Sequence, residues 1–219
     1  MFFRRGFREL VTRAGKRMLF PVKIKILLPI GLLVVFALSR WPGLMPLNFS
    51  AAYAIAFCAG VYLPRRLAWW LPLGALLATD IWINVFFYHV GALDSSMAGN
   101  YLAFAAIIWL GSRFSARNSW LKLLGGGLAG AIIFYFVTNT AAWLQLPEYR
   151  KNLAGWIQAL TVGTPGWPHT WEFFRNTLLS GGLFTGLFVG AMKVEELSEQ
   201  EEEKSEDAEP AEEPESVGS

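Results

Sequence analysis

Apolar residues in this chain are gathered into blocks close to the length an α-helix needs to cross a hydrocarbon core, about 20 residues for ~30 Å. Hydrocarbon offers no partner for a backbone N–H or C=O. Each block is therefore confined to a helix, which satisfies its hydrogen bonds within the segment. With 54% hydrophobic and 16% charged residues over 219 positions, the chain is too apolar for an ordinary soluble domain and has room for one membrane domain. Block length predicts six spans, at roughly 22–39, 49–63, 67–88, 99–112, 121–144 and 173–192. The second and fourth are short. Fifteen residues at ~1.5 Å each cover only about 22 Å, so these two are expected to tilt into a thin region or to be flanked by re-entrant chain. The predicted fold class is all-α, a polytopic membrane bundle of about six transmembrane helices.

Charge divides the chain further. Residues 1–194 carry 18 Lys/Arg against five Asp/Glu, whereas 195–219 carry 12 acids against Lys204. Residues 1–21 read as a basic amphipathic interfacial helix, with Phe3, Phe7, Leu10, Ala14 and Met18 on one stripe. Residues 22–192 form the six-helix domain. Residues 193–219 are an acidic tail with too little apolar surface to offset the entropy of ordering, and they are expected to be disordered. Eight Lys/Arg lie before or at the start of the first span, Arg65 and Arg66 join the second to the third, and Arg113, Arg117 and Lys122 join the fourth to the fifth. By the positive-inside bias these segments and both termini are cytoplasmic. The alternate connections carry Arg40, Arg150, Lys151 and Arg175.

This topology delivers polar groups to one outer level. Asp80 lies ~13 residues, about 20 Å, along an outward-running helix, with Asn84 one turn further on the same face. Asn139 shares a stripe with Tyr135 and Trp143, Arg175 and Asn176 open the sixth helix, and Asn48 follows Pro46 where it is expected to cap the second. The candidate ligand-binding residues are thus Asn48, Asp80, Asn84, Asn139, Trp143, Arg175 and Asn176. A single amide in a bundle often does no more than tie two helices together. A carboxylate at membrane depth instead needs a proton, a cation or a water-filled cavity. Arg175 is the expected countercharge of Asp80, in a packing pair or a ligand-facing one. Helix starts at residues 48–51 and 173–177 aim positive dipole ends into this region and favour an anionic or carbonyl-bearing guest. The long fifth connection sets Trp156, Trp167 and Trp171 around Pro165, Gly166 and Pro168, and reads either as a headgroup anchor or as a lid. Three small-residue stripes, Ala52/Ala56/Gly60, Gly126/Gly130 and Gly182/Gly186/Gly190, mark close helix seams.

Catalytic motifs are absent. There is no GxxxxGK[ST] loop, HExxH or GxSxG, so no enzymatic activity and no cofactor are expected. Cys58 has no partner cysteine, and His169 with Glu172 is too small a set to read as a metal site.

The blocks PLNFSAAYAIAFCAGVYLPRR, LPLGALLATDIW, VTNTAAW and FFRNTLLSGGLFTGLFVG, in that order, resemble an uncharacterised family of bacterial six-helix membrane proteins over about residues 25–192. That family is distantly similar to the S components of energy-coupling-factor transporters. The resemblance implies capture of a small nutrient or vitamin-like molecule at the bacterial cytoplasmic (inner) membrane, with a separate membrane coupling subunit and ATPases as partners. The first span, KIKILLPIGLLVVFALSR, lacks the small-xxx-small motif that S components typically use for coupling. The rival expectation is a structural or assembly subunit of a larger membrane complex, drawn from the glycine stripes, basic start and acidic tail. Nucleic acid is not an expected partner. A proton or cation site at Asp80, as in secondary transport, finds no support in a duplicated half or a pair of broken helices.

Overall fold

All regular structure among the described residues of the computed structural model, 31, 34–95 and 97–208 with side chains as far as Leu197, is helical. A helical segment over 34–40 leads through a loop punctuated by Pro42, Gly43 and Pro46 into α1 (Ala52–Tyr62) and α2 (Arg65–Trp82). A π-helical turn (Ile83–Phe87) extends α2, and α3 (Met97–Gly111), α4 (Trp120–Gln145), α5 (Leu153–Thr161) and α6 (Thr170–Ala208) follow. Three stretches are long and apolar enough to cross a membrane: Arg65–Phe87, Trp120–Gln145 and Thr170–Leu197. The spans expected at 49–63 and 99–112 correspond to the shorter helices α1 and α3, of 11 and 15 residues. The first expected span overlaps residues outside the described set, and so does the basic segment 1–21.

Packing explains why α1 is short. Residues 52–59 are buried without interruption, so the helix has no stripe left to face lipid. It forms the axis of the bundle and touches α2, α3, α4 and α6. Its alanines let the neighbours close in, while Tyr53 packs its ring 4.5 Å from that of Phe134. Where α1 crosses α3 the main chains nearly meet. Gly60 lies on the backbone of Ile108 and Ser112, and Gly111 lies on the carbonyl of Phe57, so neither position has room for a Cβ.

The α4–α6 seam differs from the expected stripe. Gly127 rests on Thr185 and Gly181 on Ala131. Gly182 and Gly186 meet only the side chains of Leu128 and of Trp120 and Leu124, and Gly190 has nothing within 4 Å. The contact row is therefore Thr177, Gly181, Thr185 and Val189, one residue round the helix from the glycine row.

Three hydrogen bonds fix the two ends of the bundle. Lys193 Nζ donates to the Ala116 carbonyl (2.8 Å), setting the far end of the apolar part of α6 beside the α3–α4 turn. Asn176 Nδ2 donates to the Leu47 carbonyl (2.9 Å), setting the start of α6 beside the loop before α1. Gln145 Nε2 donates to the Ser95 carbonyl (3.4 Å). The α1–α2 and α3–α4 turns thus share one end with Lys193. The loops before α1, before α3 and between α4 and α6 share the other.

Helix α6 continues to Ala208, through residues 193–208 of the segment expected to be disordered. Glu, Gln and Lys dominate this stretch and are strong helix formers. Lys193 and Glu196 pair across one turn at 2.8 Å. Residues 209–219 lie outside the described set.

Candidate functional site

Asp80 is only 7% exposed, and each of its carboxylate oxygens is taken by a different element. Arg40, at the end of the 34–40 segment, forms an ion pair with Oδ1. The Tyr101 hydroxyl on α3 donates to Oδ2 at 3.3 Å. The Arg40 guanidinium also lies 5.9 Å from the Phe36 ring centroid. The countercharge expected of Arg175 therefore belongs to Arg40. Arg175 is exposed and lies over the Trp171 ring at 5.7 Å. Asn84, in the π turn, faces α3 as Asp80 does, donating to the Ala92 carbonyl (3.4 Å) and to Met97 Sδ (3.8 Å). The expected shared face is real, but both residues are spent on joining α2 to its neighbours.

Less fully committed polar groups gather elsewhere at the same end, around a pocket of about 340 Å³. The loop before α1 contributes Leu47 and Asn48, and the end of α4 with the following turn contributes Asn139, Leu146 and Tyr149. The remaining wall is the α5–α6 loop and the start of α6, with Gly163, Thr164, Trp167, Pro168, Thr170 and Phe173.

Helix α5 holds this wall in place. The Asn152 side chain caps it by accepting from the Gly155 N–H at 2.9 Å. Trp156 Nε1 donates to Thr140 Oγ1 (2.9 Å), and the Tyr135 hydroxyl donates to the Leu160 carbonyl, so α4 grips α5 twice. Asn152→Ala should destabilise α5 by about 0.5–2 kcal/mol. Limited proteolysis would show it as faster cleavage between residues 146 and 170 without loss of the remaining bundle.

The two helix starts carry side-chain acceptors of their own. At α1, the Ala51 and Ala52 N–H groups are taken by Ser39 Oγ (3.0 Å) and Ser50 Oγ (3.1 Å). At α6, the Glu172 carboxylate accepts from the His169 N–H at 3.3 Å. Asn48 is not the cap expected of it. Its φ of +60° turns the chain away from helix, and its carbonyl accepts from the Tyr53 hydroxyl at 3.1 Å.

Residues 21–203 match a family of unknown function, DUF6580. The chain belongs to this family. No curated protein and no solved structure matches it. The stretch shared with DUF6580 includes both the Arg40–Asp80–Tyr101 cluster and every residue lining the pocket.

In this DUF6580 chain the seven expected site residues divide. Asn48 and Asn139 line the pocket, and Asn176 stands behind it, holding the Leu47 carbonyl. Trp143 props the turn after α4 by donating from Nε1 to the Arg150 carbonyl at 2.9 Å. Asp80 and Asn84 belong to the separate cluster, and Arg175 lies outside both.

Sequence reasoning missed Arg40 and Tyr101 as partners of Asp80 in the first group, and Tyr149 and Thr170 in the second; Trp167 was read as an anchor or lid and Phe173 only as part of a helix start. Tyr149 is 7% exposed and Thr170 is 3% exposed, yet both reach the pocket. Burial, and secondarily the Glu148 carboxylate, push the Tyr149 phenol above its ordinary value, so it is a neutral hydroxyl at physiological pH.

Proposed function

We propose that this chain is a multi-pass protein of the bacterial cytoplasmic membrane that captures a small molecule from outside, as the substrate-binding subunit of an uptake system. The observation that carries this reading is a pocket of about 340 Å³ with uncommitted polar side chains. That volume lies in the usual range for small-molecule sites, roughly 300–1,000 Å³. Among the described residues no hydrogen bond uses the side chains of Asn48, Tyr149 or Thr164, and Asn139 uses only its Nδ2, on the Tyr135 carbonyl. Tyr149 is buried as a residue, Asn139 and Thr164 are half-buried and Asn48 is exposed, so these groups are open to water or to a guest that replaces it.

Charge placement supports the orientation. Arg65, Arg66, Arg113, Arg117, Lys122 and Lys193 stand at the end opposite the pocket, the pattern of a cytoplasmic face. In this reading the 34–40 segment closes the first of six spans, and α1 and α3 cross as protein-covered helices with their flanking turns. A separate coupling subunit and ATPases supply the energy in this reading.

The test is gentle extraction into lipid nanodiscs followed by native mass spectrometry. A co-purifying small molecule is expected in the parent chain and should be lost, by about tenfold or more in occupancy, in Asn139→Ala and in Trp167→Ala. Full retention in both variants would rule the pocket out.

A second reading, a structural or assembly subunit, is favoured by helix α2. Its apolar face is largely uncovered by the rest of the chain, with Trp70 78% exposed, leaving it to lipid or to a partner subunit. Stable co-purification of a large complex without any bound small molecule would support that reading instead.

A further inference from the structure

The pocket's lining has a property that narrows its guest: none of its residues carries a charge. Of the charged groups on the adjoining turns, Lys151, Glu172 and Arg175 are engaged elsewhere, while Glu148 and Arg150, which flank Tyr149, are exposed and lie outside the lining. Lys151 Nζ caps the end of α4, donating to the carbonyls of Trp143 and of Leu146, the latter at 2.6 Å. Glu172 is occupied by the His169 N–H, and Arg175 lies on Trp171. What faces the cavity is a floor of neutral hydrogen-bonding groups beneath an aromatic rim.

The floor is specific in its chemistry. Tyr149 and Thr170 are each more than nine-tenths buried, and no hydrogen bond among the described residues uses either hydroxyl. Each can donate or accept. Asn139 keeps its Oδ1 free as an acceptor because its Nδ2 is bound to the Tyr135 carbonyl at 2.8 Å. A guest that satisfies this floor must itself donate to Asn139 and exchange hydrogen bonds with the two hydroxyls.

The rim is set by backbone turns. Gly163 and Gly166 adopt φ of +81° and +88°, a conformation that side chains disfavour. They shape the loop that brings Trp167, 69% exposed, to the pocket, which Phe173 also lines.

We infer that this pocket, if it is the binding site proposed above, selects an uncharged ring compound bearing an amide or hydroxyl group and discriminates against carboxylates and ammonium-type cations. The ring lies against Trp167 and Phe173, and the polar group reaches Asn139, Tyr149 and Thr170. A carboxylate would find no cation in the lining and would face the lone pairs of Asn139 Oδ1. A cation would find no carboxylate in the lining.

Three probes of one shape separate the possibilities: benzamide, benzoate and benzamidinium, which at neutral pH are neutral, anionic and cationic. Binding to the full-length chain in nanodiscs is measured by saturation-transfer NMR titration, with protein-free nanodiscs subtracted to remove partition into lipid. Benzamide is expected to bind at least about tenfold more tightly than either charged probe. It should weaken by about tenfold in Trp167→Ala, a change at an exposed loop tip that leaves the bundle intact, and similarly in Tyr149→Phe. Benzoate or benzamidinium binding as tightly as benzamide, with the same sensitivity to Trp167→Ala, would overturn the neutral selectivity while leaving the pocket as the site. Absence of any Trp167-sensitive binding by all three would overturn the inference, and the native extraction experiment independently decides whether the pocket holds a guest at all.

Discussion

Asp80→Leu is expected to destabilise the bundle by about 3 kcal/mol, the lower end of the cost of stranding one member of a buried ion pair. The lower end applies because the Arg40 side chain is 19% exposed and keeps some access to a polar surround. The counterpart Arg40→Met should cost less. A carboxyl left alone can take up a proton and keep its bond to Tyr101, whereas a guanidinium left alone cannot shed its charge. The double replacement, Arg40→Met with Asp80→Leu, should return close to the parent stability, since apolar residues of similar volume replace a buried pair with little loss. Unfolding in mixed micelles titrated with dodecyl sulfate gives all three values. A double variant as unstable as Asp80→Leu alone would refute the account of Asp80 as a packing group. So would an Asp80→Leu protein of parent stability that no longer bound its small molecule.

What was legible in the chain, and what was not, follows from one geometric fact. Sequence gives the height of a residue along a helix far better than its direction around the bundle. The apolar blocks announced membrane helices, and Asp80 announced a carboxylate in need of a partner at the end of the bundle that also holds the pocket. Arg40 and Arg175 both stand at that end, and nothing in their spacing says which lies across from Asp80. The same blindness misread α6, where the row Thr177/Gly181/Thr185 and the row Gly182/Gly186/Gly190 are equally regular and only packing against Gly127 and Ala131 selects the first. Asn48 looked like a cap because caps are usually local, but the N–H groups it would have served are taken by Ser50 and by Ser39 on the preceding helical segment. Eight of the eleven lining residues come from connections without any period, so Tyr149 carried no sequence signal, and Thr170, the first residue of α6, carried none beyond being polar near Trp167. The acidic stretch was misjudged for another reason. Its composition argues against folding alone, yet it extends a helix already formed, and propagation costs far less than nucleation.

Val at Gly60 or at Gly111 is expected to be the most damaging single change in the α1–α3 interface, costing more than about 3 kcal/mol, the upper end of ordinary overpacking. In most cores an added methyl can be absorbed by a neighbouring rotamer. Here it meets the main chain of Ile108 and Ser112 in one case and the Phe57 carbonyl in the other, and neither can swing aside without separating the helices. The same substitution at Gly190, which has nothing within 4 Å, should stay within about 0.5 kcal/mol. The contrast separates packing from any general intolerance of a β-branched residue in these helices, because all three sites are helical glycines. The damage should reach function as well. Helix α1 carries Tyr53, whose hydroxyl holds the Asn48 carbonyl, and α3 carries Tyr101, which holds Asp80. Forcing the two helices apart therefore loosens both the pocket loop and the ion-pair cluster. On the proposed binding role, Gly60→Val and Gly111→Val should lose the co-purifying small molecule along with stability, while Gly190→Val keeps both. A Gly111→Val protein with parent unfolding behaviour would mean that α1 and α3 do not meet backbone to backbone.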